Sequence, residues 1–178
     1  FTLANAMERA GHEVQMLSDP AELASFEALI IAVGDARLEA TVELLEPHVH
    51  HGLIVFHTCL SRGVQVLDPL ETRGCVVAAL APFALMRWAV TTLDELGETV
   101  VELNITEFRG EAVALSDAER PAFAARAYYA EMLRRLHISA AVDARFFPSA
   151  EEKPMVGEDM DTEEIIAAYR GATDPGLR

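Results

Sequence analysis

The run "ALIIAV" (28–33) constrains the fold of this sequence most strongly, because no polar residue interrupts it. Such a run is typical of a β-strand buried on both faces, as the strands of parallel sheets are. The stretch 36–49 follows with the spacing of an amphipathic helix: its apolar positions are Leu38, Val42 and Leu45. A buried strand followed at once by an amphipathic helix indicates a mostly parallel sheet with helices on both faces.

The same alternation continues along the chain. The patterns predict further strands at "HEVQML" (12–17), "GLIVFHT" (52–58), "CVVAALA" (75–81), "WAVT" (88–91) and "AVAL" (112–115). They predict helices over about 1–10, 68–74, 94–108, 118–136 and 162–170. The acidic, Pro-bearing stretch 146–164 is expected to be a linker or surface loop. We therefore predict a doubly wound α/β fold with a short helical C-terminal region.

Composition narrows the classes of function. The formal net charge of −15 would repel phosphate backbones and anionic lipid, so nucleic-acid and membrane-surface roles are not expected. No apolar stretch reaches the length of a membrane span, and Phe1 opens no signal-peptide pattern. The two cysteines, Cys59 and Cys75, are typical of a reduced chain rather than a disulfide-stapled one. A cytoplasmic protein with a small-molecule substrate is the resulting expectation.

Ligands of parallel sheets bind outside the carboxyl ends of the strands, so the residues there are candidates for a site. Val33, Gly34 and Asp35 end the first buried run. Gly34 would let a ligand approach the backbone closely. Asp35 would either cap the next helix or bind a ribose hydroxyl, and the two roles are compatible.

The next buried run ends in His57, Thr58, Cys59 and Ser61. The ordinary pKa range of histidine suits proton transfer at neutral pH, so His57 is the candidate catalytic residue. Thr58 and Ser61 could hold a substrate carboxylate or a ribose. The alternative is a polar strand end whose side chains satisfy the loop backbone. Cys59 lacks a CxxC partner, which favours an inert, buried thiol.

Two further features have a structural alternative. Phe83, after the run 75–81, could pack on a ligand ring or close the core, and the core interpretation is favoured. The sequence "HVHHG" (48–52) offers His48 and His50 as metal ligands, but a solvated turn is the better interpretation. We therefore predict no metal site.

The segments "ANAMERAGHEVQML" and "ALIIAVGDA" resemble the dinucleotide-binding domain of the 6-phosphogluconate dehydrogenase-like superfamily. The stretch "LIVFHTCLSRGVQVLDPLETRGCVVAALAPF" is similar to the "HTSG…L…GA…HP" segment of a bacterial subgroup of Rossmann-like oxidoreductases. The resemblance covers about residues 4–136 and rests on the order and spacing of its motifs. It implies a Rossmann-like domain over 1–115 and a helical region over 116–178.

The resemblance also implies roles for individual residues. Val33, Gly34 and Asp35 would line the dinucleotide cleft, with His57 and Thr58 near the nicotinamide. Ser61 and Phe83 are the candidates for contact with the substrate.

The residue types at Ser18 and Asp19 predict which dinucleotide, NAD or NADP, the chain would prefer. The superfamily often has Asn-Arg at these positions, where the cation suits a 2′-phosphate. The acid of this chain disfavours NADP and mildly favours NAD.

The implied function is an NAD(P)-dependent oxidoreductase that acts on a small carbonyl, hydroxyl or imine substrate, as a homodimer. The alternative is a non-catalytic dinucleotide-binding or regulatory protein. Cys59 and Leu60 replace the serine and glycine of "HTSG", and Ala81 replaces the histidine of "HP". These differences favour the alternative, whereas His57 and "AVGD" favour the enzyme.

The resemblance finally predicts what precedes the first residue. Aligning the glycine of "AGHEV" with the superfamily pattern places the end of the Gly-rich loop just before Phe1. We therefore expect a first strand and that loop, roughly a dozen residues, to precede residue 1.

Overall fold

The computed structural model describes residues 2–139 and 162–171. The strands are β1 (Ala28–Ile31), β2 (Ile54–His57), β3 (Val76–Ala84), β4 (Arg87–Thr92) and β5 (Glu111–Ala114). The α-helices are α1 (Leu3–Ala10), α2 (Asp35–Leu45), α3 (Asp68–Thr72), α4 (Glu95–Glu107), α5 (Arg120–Ser139) and α6 (Thr162–Gly171). Each α-helix coincides with a predicted one to within a few residues. Most of the predicted linker, 146–164, lies outside the described residues.

The five strands form one sheet in the order β1-β2-β3-β4-β5. Three of the four strand pairings are parallel, and only the β3–β4 hairpin is antiparallel. β1 and β2 end at the same level, since Ile31 pairs with His57, while β3 continues beyond them to Ala84. The β3–β4 hairpin therefore extends past the carboxyl ends of β1 and β2 and forms a ledge beside them.

The two faces of the sheet pack against different helices. Leu29, Val55 and Val77 point into a core cluster that includes residues of α2 and α3. The neighbouring positions Phe56 and Ala78 point into a second cluster, which includes residues of α1 and α4. Alternate side chains of one strand therefore serve opposite layers. This confirms the doubly wound, mostly parallel Rossmann-like fold.

The prediction of a strand over residues 12–17 is wrong. These residues form no strand in the structure, and β1 is an edge strand that pairs only with β2. Leu17 still packs against the core, whereas Met16 is 91% exposed. Alternating apolar residues can supply core contacts, but a strand also needs a neighbouring backbone to pair with, and none lies beside 12–17 among the described residues.

α5 places the C-terminal region over the ledge. Ala124, Ala125 and Tyr128 of this helix pack against a third cluster that contains Ala81 and Ala89 of the β3–β4 hairpin. The first turn of α5 consequently lies above the carboxyl end of β2. Among the described residues, no helix has both the length and the apolar character needed to cross a membrane.

Candidate functional site

The loop that follows β2 is attached to the end of β1. The backbone N–H of Thr58 donates to the Ile31 carbonyl at 3.2 Å. The buried thiol of Cys59 donates to the Val33 carbonyl at 3.0 Å. These contacts bring the polar residues of the two strand ends together, as the parallel order of β1 and β2 predicts.

Asp35 lies where the two strand ends meet. Gly34 occupies the N-cap position without a side-chain bond, and Asp35 is the first residue of α2, so the interpretation of Asp35 as the N-cap is wrong. Its carboxylate accepts a hydrogen bond from the Ser61 hydroxyl and also lies within hydrogen-bonding contact of the Cys59 thiol. The geometry therefore pairs two residues that the sequence assigned separately, one to cofactor and one to substrate.

Burial raises the pKa of the Asp35 carboxyl above its usual value. The bond from Cys59 and the charges of Arg62 and Arg120 oppose this effect. Desolvation is the largest of these effects. It raises the pKa because the neutral form of a carboxyl is easier to bury than its anion.

His57 is fully buried rather than exposed at the strand end. Its Nε2–H donates to the Gly63 carbonyl at 3.0 Å, and its Nδ1 has no hydrogen-bond partner among the described residues. Burial, with a smaller contribution from Arg120, lowers the pKa of His57 to about 4. The imidazole is therefore neutral at pH 7 and supports the loop, and its burial gives no support to the predicted catalytic role.

Two charged residues at the start of α5 hold this loop in place. The Asp117 carboxylate accepts from the backbone N–H groups of Val64 and Gln65, at 2.8 and 3.1 Å. It thereby caps the 3₁₀ turn Val64–Leu67 in place of a local side chain.

Arg120 is fully buried beside Asp117. Its Nε donates to the Arg62 carbonyl at 2.7 Å and its Nη2 to the Ala89 carbonyl at 3.4 Å, while Nη1 has no hydrogen-bond partner in the described part of the chain. Burial lowers its pKa to about 10, against the charges of nearby acids that include Asp117 and Asp35. Arg120 thus joins the loop to the hairpin by hydrogen bonds, and its charge interacts with two nearby carboxylates.

The sequence interpretation did not select Asp117 or Arg120. Just before α5, Ser116 N and Oγ donate to Glu119 Oε2 at 2.8 and 2.7 Å, which is one half of a capping box. The local sequence carries little signal for the two residues, since their hydrogen-bond partners lie between 31 and 58 positions earlier in the chain.

A cleft of roughly 670 Å³ lies between these strand ends and the two C-terminal helices. Its walls are formed by Asp35, Ala36, Ser61, Arg62, Pro121, Glu163, Ile166, Ala167, Arg170 and Gly171. Asp35 and Ser61 are the predicted site residues that line it. The cleft is therefore a place where a small ligand would meet the carboxyl ends of the sheet and α6 together.

Other predicted residues lie elsewhere. Phe83 is buried, with its ring centroid 4.9 Å from that of Phe123, in the core arrangement that the sequence favoured. Ser18 is exposed, and Asp19 caps the following 3₁₀ turn by accepting from Ala21 N at 2.9 Å. Neither Ser18 nor Asp19 lines the cleft.

The histidines of "HVHHG" form a hydrogen-bonded turn. The Nε2 and Nδ1 atoms of His50 lie 3.0 Å from the carbonyl oxygens of Phe26 and His51, and these acceptors raise the pKa of His50. Across residues 2–139 and 162–171, no three histidine, cysteine or acidic side chains are grouped so that they could hold a metal ion. Cys59 and Cys75 form no disulfide bond with each other.

Gly63 allows the first testable prediction, because a Cβ atom at this position would overlap the Asp117 carboxylate. We expect Gly63→Ala to rotate Asp117 away from Val64 and Gln65 and to destabilise the fold by about 2 kcal/mol. Urea unfolding measures this loss. The backbone of Gly63 (φ −81°) suits alanine, so Gly63→Ala should cost much less in an Asp117→Ala background. Equal costs in both backgrounds would contradict the overlap.

Comparison with known proteins addresses the fold directly. Residues 13–82 match the Rossmann-like domain model. The Rossmann-like prediction therefore rests on the matched sequence as well as on the topology. A comparison with curated proteins finds no sequence relative of this chain.

Three solved structures are similar to this chain in fold. Pyrroline carboxylate reductase from Plasmodium falciparum, with NADP bound, has 11% identity and a TM-score of 0.57 over 84% of this chain and 66% of its own. Prephenate dehydrogenase from A. aeolicus, with hydroxyphenyl propionate and NAD+, has 9% identity and a TM-score of 0.60 over 98% and 75%. Synechocystis arogenate dehydrogenase has 14% identity and a TM-score of 0.58 over 99% and 72%. At these identities the likeness establishes the fold alone.

Proposed function

We propose that this chain is part of an NAD(P)-dependent oxidoreductase that acts on a small carbonyl, hydroxyl or imine substrate. The observation that carries the proposal is the cleft at the carboxyl ends of β1 and β2, where Asp35 and Ser61 face α6. In doubly wound sheets this edge is where dinucleotides and their substrates bind. Solved structures with a similar fold include dehydrogenases and reductases with NAD+ or NADP bound.

Some of the residues at this edge of the sheet suit the binding of a nicotinamide dinucleotide. Val33, Gly34 and Thr58 are half-buried at the strand ends, and no side chain caps the N-terminus of α2 at Gly34. These three residues would hold the nicotinamide end, and Asp19 would hold the adenosine ribose. When bound, the dinucleotide supplies or accepts the hydride. The protein's own groups position the substrate and handle the proton.

Asp19 carries the proposed preference for NAD. We expect NADH to bind roughly tenfold more tightly than NADPH, because a carboxylate at the ribose repels a 2′-phosphate. Fluorescence titration with both dinucleotides measures the ratio. Asp19→Asn should lower this ratio of affinities, mainly through tighter NADPH binding. Glu22→Gln, in the same exposed turn, should leave the ratio unchanged. Tighter binding of NADPH by the unaltered chain would refute the preference.

A non-catalytic dinucleotide-binding protein is the second candidate, and the burial of His57 favours it. Incubation with NADH and a panel of small aldehydes, keto acids and cyclic imines separates the two candidates. Oxidation of NADH by any of these compounds indicates the enzyme, and tight NADH binding without oxidation indicates the binding protein. Failure to bind any of NAD, NADH, NADP or NADPH at millimolar concentration would reject both.

A further inference from the structure

The cleft contains a carboxyl–hydroxyl pair that sequence and fold comparison did not assign to chemistry. Asp35 at the first position of α2 and Ser61 in the loop after β2 both line the cleft, and the Ser61 hydroxyl donates to the Asp35 carboxylate. Asp35 is half-buried and Ser61 stands beside it on the cleft wall. We propose that Asp35 and Ser61 are the acid–base pair of the site, with Ser61 exchanging a proton with the substrate and Asp35 storing it.

The hydrogen bond between the two residues can reverse its direction. With Asp35 ionised, Ser61 donates to the carboxylate, as in the structure. With Asp35 protonated, the carboxyl group donates to the Ser61 oxygen and frees the Ser61 O–H to donate to a substrate oxygen in the cleft. The pair can therefore deliver a proton without either side chain changing its place.

The surroundings adjust how easily Asp35 takes up a proton. Burial favours the neutral carboxyl, while Cys59, Arg62 and Arg120 favour the anion. From α6, Glu163 and Arg170 also line the cleft with opposite charges. A carboxyl group whose pKa is raised takes up a proton more readily than an ordinary aspartate does, which suits general acid–base catalysis. His57, by contrast, is fully buried and does not line the cleft.

The proposed proton transfer rests on the proposed function and accompanies reduction of a carbonyl substrate. A bound reduced nicotinamide dinucleotide, held by Val33, Gly34 and Thr58, would supply the hydride, so that a C–H bond would form at the carbonyl carbon as the π bond of C=O breaks. The carbonyl oxygen takes the Ser61 hydroxyl proton, and Ser61 takes the proton of the Asp35 carboxyl. The carbonyl is reduced and the nicotinamide is oxidised. Asp35 is left ionised and recovers its proton from water.

Titration of the carboxyl groups in the ligand-free protein tests this inference. Carbon-13 NMR of aspartate-labelled protein, with Asp35→Asn to assign the resonance, should show Asp35 titrating above the ordinary aspartate range. In Ser61→Ala the midpoint should rise further, because the hydroxyl that stabilises the anion is gone. Asp68, an exposed acid in the first turn of α3, provides the matched control through Asp68→Asn. Titration of Asp35 in the ordinary range, or no response to Ser61→Ala, would overturn the inference.

NADH binding separates this inference from the proposed function. At saturating NADH, Asp35→Asn should lose on the order of a hundredfold or more in the rate of carbonyl reduction. Asp68→Asn should retain both NADH binding and carbonyl reduction. An Asp35→Asn variant that retains full reduction overturns the acid–base pair and leaves the proposed function intact. If the unaltered chain binds no dinucleotide, the proposed function and the hydride-coupled role of the pair both fail, whatever the titration shows.

Discussion

We expect Arg120→Met to lower the free energy of unfolding by about 3–5 kcal/mol at neutral pH, far more than the substitution of an exposed arginine would. The variant keeps the apolar volume but removes the donors to the Arg62 and Ala89 carbonyls. It also removes a positive charge that interacts with the partly buried carboxylates of both Asp35 and Asp117. Removing one partner of a buried charged group is costly because the remaining charge has lost access to water.

Urea unfolding of Arg120→Met beside Arg126→Met provides the measurement. Arg126 is an exposed residue of the same helix, and its replacement should change the free energy of unfolding by less than about 0.5 kcal/mol. Arg120→Lys should fall between the two, because it keeps the charge but loses the planar fork of donors. If Arg120→Met and Arg126→Met unfold at the same urea concentration, Arg120 does not hold the loop as described.

The second large effect is a loss of stability on acidification, caused by His57. The folded state holds its pKa near 4, whereas an unfolded chain has a histidine pKa of about 6.5. Above pH 6.5 the residue is neutral in both states and contributes no pH dependence. As the pH falls from about 6.5 to 4, only the unfolded state gains the proton. Folding is then weakened by about 3 kcal/mol.

His57→Gln isolates this contribution. A glutamine amide can still donate to the Gly63 carbonyl but does not titrate, so the variant should lose less stability between pH 6.5 and 4. Urea unfolding at several pH values compares its slope with that of the unaltered chain, and His48→Gln controls for loss of an exposed histidine. Identical acid slopes for the His57→Gln variant and the unaltered chain would show that His57 is not buried as a neutral group.

The sheet was largely predictable because its signals are local. The uninterrupted runs over β1 and β3 indicated strands, and both lie in the sheet. The prediction of burial on both faces is wrong for β1, because this strand lies at the edge of the sheet, with Ala28 exposed and Ile30 half-buried. The prediction failed at residues 12–17, where alternation was present but no strand lies alongside. Periodicity reports which faces of a segment are apolar; it does not report whether a neighbouring backbone is in place.

The site was less predictable because its decisive contacts are long-range. The sequence placed His57 correctly at the end of β2, but its burial depends on a loop held by Asp117 and Arg120. No local pattern around His57 encodes those two partners. The Asp35–Ser61 bond likewise joins the ends of two different strands, and only their parallel pairing brings the two residues together.

The attachment of the β2 loop by the first turn of α5 has a consequence for how the protein can be divided. All five strands end by Ala114, so a sheet cut after Leu115 would retain every strand. It would lack Asp117 and Arg120, and the backbone donors of Val64 and Gln65 would lose their cap. The sheet and the helical region are therefore not independent modules. An exchange of C-terminal regions between such proteins would carry part of the cleft wall along with the helices.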